Sequence, residues 1–177
     1  MLITTKSGFG LRVFEKKDAE ALAKLANDLE IYRMTLDMPH PYELTDALDW
    51  IAYNQEMSRK FQRVFSFAII SSEGSLAGSI GRRLAYGFGS HQDEVGYWVG
   101  APYRGRGIMT EILPAYVDHL LNNEGLSRVS AFVFPDNTPS IRLLERCGFV
   151  KEGYLHHYLV KDRILRDTLL YAIWKTN

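Results

Sequence analysis

Apolar and polar residues alternate with a period of two through Leu11-Arg12-Val13-Phe14, which predicts a strand, and the period turns helical directly after it. Ala21, Leu22, Leu25 and Leu29 then fall on one face, and Asp18 stands where a side chain would cap the helix start. The stretch from Met34 to Glu43 holds Pro39 and Pro41, which lack an amide proton and fix φ, so it reads as a loop. Thr45 is placed to cap a second helix, with Asp46 in its first turn and Leu48, Ile51, Ala52 and Gln55 marking one face.

Strand patterning takes over at Phe65. Residues 65–70 and 76–84 flank a turn at Ser72-Glu73-Gly74-Ser75, and a glycine-rich turn over 86–90 leads to a further strand over 94–99. Such short connections make these three strands antiparallel neighbours. A helix then runs to about Asn122 and is followed by an apolar strand over 128–134, a β-α-β unit whose two strands must lie parallel. Pro114 inside that helix removes the bond to the carbonyl of Thr110 and should kink it. Thr138 as cap, Pro139 in the first turn and Gly148 at the end frame a short helix. Two last strands, over about 151–157 and 164–174, turn around Lys161-Asp162-Arg163. The result is a mixed sheet flanked by helices.

Composition narrows this without changing it. The 177 residues suit one domain, and Lys plus Arg equal Asp plus Glu at 21 each, so nothing here attracts nucleic acid or an anionic membrane. The one cysteine, Cys147, excludes an internal disulfide and reads as a buried small apolar residue, no His/Cys spacing fits a zinc site, and the default setting is a reducing cytoplasm. No leader and no apolar run of membrane-spanning length is visible, and no repeat or linker divides the chain. Trp98, Phe132, Phe134, Phe149 and Trp174 read as core aromatics.

Candidate chemistry sits in Tyr103-Arg104-Gly105-Arg106-Gly107-Ile108-Met109-Thr110. Two glycines let consecutive N–H groups of 104–108 turn inward as an anion nest, the helix start adds its positive end, and two arginines add charge. A pyrophosphate is the natural ligand; the other reading is a tight turn before a helix. The segment lacks the Gly-Lys-Ser/Thr ending of a P-loop, and Thr110 replaces the last glycine of a dinucleotide fingerprint.

Three blocks in order resemble the GNAT N-acetyltransferases, within them the RimJ/RimL group that acetylates ribosomal-protein N-termini. The blocks are Glu94-Val95-Gly96-Tyr97-Trp98-Val99, Tyr103-Arg104-Gly105-Arg106-Gly107, and Asn137-Thr138-Pro139-Ser140-Ile141-Arg142-Leu143-Leu144-Glu145-Arg146-Cys147-Gly148-Phe149. The resemblance implies an α/β (α+β) GNAT fold over 1–177, a mixed sheet of about six to seven strands with about four helices.

It further implies acetyl-CoA as co-substrate, with no metal, held in a V between the two parallel strands. Pantetheine would pair with backbone near Trp98, Val99 and Gly100, and the pyrophosphate would lie on Arg104, Gly105, Arg106, Gly107, Ile108, Met109 and Thr110. Asn137 would contact the pantetheine and Ser140 the sulfur. Many GNAT enzymes have a tyrosine acid where this chain has Leu144; Ser140 resembles the serine proposed for that role in RimL-like proteins and is the candidate acid. Glu94 is the candidate base, acting through water, or else a solvated strand-end carboxylate. Met34, Tyr42, His156 and Tyr158 are candidate acceptor contacts. The acceptor the resemblance implies is a protein N-terminal α-amine, with a small amine such as a polyamine, an aminoglycoside or an amino acid as the alternative and a non-catalytic acyl-CoA-binding module as the other class; neither nucleic acid nor membrane is expected as partner, and a monomer or homodimer is expected.

Overall fold

The computed structural model describes residues 3–83 and 90–176. Among them are eight strands: β1 Ile3–Thr4, β2 Gly10–Val13, β3 Ser66–Ile70, β4 Leu76–Arg83, β5 Gln92–Val99, β6 Arg128–Val133, β7 Val150–Lys161 and β8 Ile164–Trp174. The five α-helices are α1 Ala19–Ala26, α2 Leu29–Met34, α3 Leu44–Phe61, α4 Ile108–Asp118 and α5 Thr138–Arg146. By hydrogen bonding the strands follow the order β1-β2-β3-β4-β5-β6-β8-β7 in one mixed sheet. β1 and α2 account for the excess over the expected counts. Leu84 and residues 86–89 of the expected glycine-rich turn lie outside the described residues.

The chain forms two compact units, one of residues 1–81 with 97–112, the other of 82–96 with 113–177. In the first, β2 and β3 pair antiparallel from Gly10↔Ile70 to Val13↔Phe67, and β3 pairs likewise with β4. Phe14, Leu22, Ala26, Tyr42, Ala47, Ile51 and Ile70 form its core, with Trp50 and Trp98 packed against them. Ile51 is fully buried, a side chain whose removal from water stabilises by about 1.5–3 kcal/mol.

Several helix starts differ from expectation. Asp18 precedes α1 but its side chain does not cap it, because the carboxylate accepts Nη1 and Nη2 of Arg12 at 2.7 Å and the Glu15 N–H at 2.8 Å. Leu29 begins a separate helix, since Asp28 takes an extended conformation and its Oδ1 accepts the N–H groups of Glu30 and Ile31. At α3 the cap is Glu43, in a reciprocal box with Asp46, and not Thr45. The buried face of α3 centres on Ala47 and Ile51, whereas Ala52 and Gln55 are exposed.

The second unit holds the parallel step. β5 pairs with β6 at Gln92↔Arg128, Asp93↔Val129 and Glu94↔Ser130, while β6 runs on to Val133 and stays paired with β8 throughout. Arg82 is buried here, its Nη1 at 3.4 Å from Asp93 and 2.6 Å from Glu124, an ion-paired group that the sequence did not single out. α4 contains Pro114 and passes into a π-helical turn, His119–Asn123. Asn137, not Thr138, caps α5: its Oδ1 accepts the Ser140 N–H, and Gly148 follows the helix at φ 85°. β7 is longer than expected and carries register shifts, the larger of them between Leu155 and Leu159.

Candidate active site

The glycine loop lies in the first unit, where β5 ends against fixed neighbours. A Cβ on Gly78 would come within 2.3 Å of the Trp98 carbonyl oxygen, and one on Gly100 within 2.7 Å of Leu25 Cδ2. Only glycine admits this approach, so the backbone of Trp98, Val99 and Gly100 is held close to β4 and α1. The Gly100 N–H donates to Ala77 O at 2.9 Å. A 3-10 turn, Ala101–Tyr103, then carries the chain to Arg104.

Gly105 and Gly107 adopt φ of 73° and 74°, the left-handed region that favours glycine. No atom lies within 4 Å of a Cβ built on either, so the cradle they shape is open. At its two ends the Arg104 N–H donates to Ala101 O and the Thr110 N–H to Gly107 O. Residues 105–109 between them, leading into the first turn of α4, are what the loop offers an anion. The cradle therefore suits a pyrophosphate.

The two arginines divide their work. Arg104 has Nη2 2.8 Å from Asp28 Oδ2, Nη1 2.6 Å from Glu30 Oε2, and Nε donating to Val99 O at 3.2 Å. Burial pulls the Asp28 carboxyl upward, but the N–H groups of Ile31 and Glu30 and the Arg104 charge outweigh it and hold the group below its usual range. Arg106 is exposed, its guanidinium 5.6 Å from the centre of the Tyr103 ring. Arg104 is thus held by two carboxylates, whereas Arg106 lies against Tyr103.

The remaining expected residues fall into two groups. In the first unit, Met34 ends α2 half-buried, whereas Tyr42 is 6% exposed, belongs to the core, and has its hydroxyl pushed up to about 12 by burial and Asp46. Tyr42 is therefore packed into the core of this unit. In the second unit, Glu94 is half-buried at the last position of β5 paired with β6, and Ser140 lies in the first turn of α5 with its N–H on Asn137. His156 and Tyr158 are exposed on β7, and Tyr158 stacks on Phe132 with centroids 5.2 Å apart. Asp167 of β8, missed from sequence, accepts the Tyr154 hydroxyl and the His157 N–H, each at 2.8 Å. Its signal was an acid between Arg166 and Thr168, the polar stretch of an otherwise apolar β8.

A family profile described as "Acetyltransferase (GNAT) domain" matches residues 9–150. The chain belongs to the GNAT acetyltransferase family. An uncharacterised N-acetyltransferase, p20 of Bacillus licheniformis, is 28% identical over 165 residues, 93% of this chain and 92% of that protein. The [ribosomal protein uS5]-alanine N-acetyltransferase of Escherichia coli K12 is 37% identical over 83 residues, 47% of this chain and 43% of its own. Among solved structures, Mycobacterium smegmatis RimJ in complex with CoA-disulfide matches with a TM-score of 0.83 at 28% identity, covering 97% of this chain and 84% of that one. This GNAT chain is thus related to ribosomal-protein N-acetyltransferases. Among the described residues no group of three or more His, Cys, Asp or Glu is arranged to hold a metal, and no helix is long and apolar enough to cross a membrane.

Proposed function

We propose that residues 1–177 act as one domain that moves an acetyl group from acetyl-CoA directly to the N-terminal α-amine of a protein or peptide. The observation that carries the cofactor half is the pair of left-handed glycines, Gly105 and Gly107, opening a cradle at the start of α4 beside exposed Arg106. The backbone of 105–109 and the Thr110 hydroxyl hold the pyrophosphate, Arg106 neutralises it, and the backbone of Trp98, Val99 and Gly100 pairs with pantetheine. Arg104 keeps the loop in shape through Asp28 and Glu30.

Asn137, whose Oδ1 is engaged in capping, has its Nδ2 as the donor toward pantetheine. Glu94 takes a proton from the acceptor ammonium through water, and the neutral nitrogen then bonds to the thioester carbonyl carbon as the carbon–sulfur bond breaks. Ser140 hydrogen-bonds or protonates the departing sulfur. Met34, His156 and Tyr158 contact the acceptor.

Likeness to the uS5-alanine enzyme and to RimJ supports an α-amine acceptor. So does chemistry: a model α-amine pKa of about 8 leaves more neutral nucleophile at pH 7 than a lysine at about 10.4. The even charge balance, 21 basic against 21 acidic residues, offers no attraction for a polycation. The unpaired Cys147 suits a reducing cytoplasm.

The test is thiol release from acetyl-CoA with alanine- and serine-initiated peptides, spermidine and an aminoglycoside. The peptides should give the highest kcat/KM; a small polycation ahead by orders of magnitude would overturn the acceptor assignment and keep the acetyltransferase.

A further inference from the structure

β7 and β8 run antiparallel with Leu155 opposite Thr168 and Leu159 opposite Arg166. Three residues of β7, His156, His157 and Tyr158, therefore face one residue of β8, Asp167. An ordinary bulge sets two residues against one. The extra length places His157 at φ 51°, a left-handed backbone that a residue with a Cβ keeps only where its surroundings impose it.

The Asp167 carboxylate imposes it. Oδ1 accepts the His157 N–H at 2.8 Å, and Oδ2 accepts the Tyr154 hydroxyl at 2.8 Å while lying 3.4 Å from His156 Nδ1. The His157 N–H first, and the Tyr154 hydroxyl next, hold this carboxyl below its usual range, so it is ionised at neutral pH. Arg166, its neighbour in the chain, is drawn off to Asp136 at 3.1 Å and to the face of Phe134, and Lys151 sits over the Tyr154 ring.

The consequence is a display surface. With Nδ1 turned to the carboxylate, a neutral His156 ring carries its proton there and has Nε2 as the acceptor for another partner. The His156 side chain is 78% exposed, its ring is 4.7 Å from that of Tyr154, and Tyr158 stands exposed on Phe132. A bulge that served packing alone would bury these rings.

We propose that Asp167 is a positioning residue of the acceptor site: it fixes the three-residue bulge and orients His156 so that Nε2 accepts a hydrogen bond from the acceptor amine, with Tyr158 as an aromatic wall. This rests on the acetyl-transfer reading above and adds to it the device by which a terminal amine is recognised.

The experiment compares wild type, Asp167→Asn, His156→Gln and the double variant with acetyl-CoA and an alanine-initiated peptide. Either single change should raise the peptide KM about tenfold, the equivalent of one hydrogen bond, with kcat and the CoA affinity held within about twofold. The double variant should lose no more than a single one, because both remove the same contact. Nitrogen-15 spectra should show His156 as the Nδ1–H tautomer in wild type and mainly Nε2–H in Asp167→Asn. Additive KM losses, or an unchanged tautomer, would overturn the proposal. His156→Gln alters an exposed side chain and still decides the acceptor contact if Asp167→Asn fails to fold. Were wild type to acetylate no amine, the transfer reading itself would fail, and the tautomer comparison would still decide whether Asp167 orients His156.

Discussion

Asp28 Oδ2 accepts Arg104 Nη2 at 2.8 Å, while the other oxygen of the same carboxylate accepts the Glu30 N–H at 2.7 Å. One side chain thus caps α2 and anchors the arginine of the glycine loop, 76 positions along the chain. Asp28→Ala should cost about 1 kcal/mol in lost capping and lower Tm by about 2–4 °C. Because Arg104 loses a partner as well, the CoA dissociation constant should rise several-fold. Calorimetry showing unchanged CoA affinity alongside the lower Tm would confine Asp28 to the cap.

Gly107→Val tests the cradle. The position has φ 74° and open space around its Cβ, so valine meets no clash yet must leave the left-handed region or bear a strain of about 1–2 kcal/mol. The protein should fold with a modest loss of Tm, and CoA binding should weaken by at least about tenfold as the N–H groups turn away. Full CoA affinity in the variant would remove the cradle from the cofactor site.

Acid sensitivity should be read at Arg12 and Asp18. Burial tends to raise the Asp18 carboxyl, but Arg12 and the Glu15 N–H prevail and lower it. A depressed folded pKa means that this contribution is present above the unfolded value of about 3.9 and is lost as pH falls through the folded one. Asp18→Asn should cost about 1–3 kcal/mol at pH 7, since charged hydrogen bonds are lost and Arg12 is left with Glu15 at 3.7 Å and the Val13 carbonyl. Melting curves of both proteins should converge as the pH falls below the unfolded value of about 3.9 and through the lower folded one. Parallel curves down to that pH would assign the stability to other groups.

What the sequence conveyed depended on whether the signal was local. The left-handed glycines, the order of strands and helices, and the parallel step were legible because periodicity and glycine punctuation are properties of neighbours in the chain. Helix starts were less so. At 137–140 two adjacent polar residues precede Pro139, and only the backbone decides that Asn137 reaches the Ser140 N–H. Tyr42 lay in a loop rich in proline and polar residues, yet tertiary packing buried it beside Phe14 and Ile51. Asp28 with Arg104 and Asp167 with His157 are pairings set by folding, and alternation along 154–160 gives no hint of the bulge that the second one holds.

Glu94 closes the parallel pairing of β5 with β6, opposite Ser130, and is half-buried there. A base at this position is needed only while the acceptor is an ammonium ion, so its value must depend on pH. On the proposed reading, with an α-amine acceptor of pKa about 8, most substrate below that pH carries the proton that Glu94 would relay through water; well above it, the amine arrives neutral. Glu94→Gln keeps the size and the hydrogen-bonding capacity of the side chain and removes its basicity. It should leave CoA binding intact and lower kcat/KM about 10²–10⁴-fold near pH 6, the usual worth of a positioned base. The deficit should shrink steadily toward pH 9 as free amine replaces the relay. A ratio of wild-type to variant kcat/KM that stays constant across this range would show that Glu94 acts by shape or charge, and the proton acceptor would have to be sought among other groups.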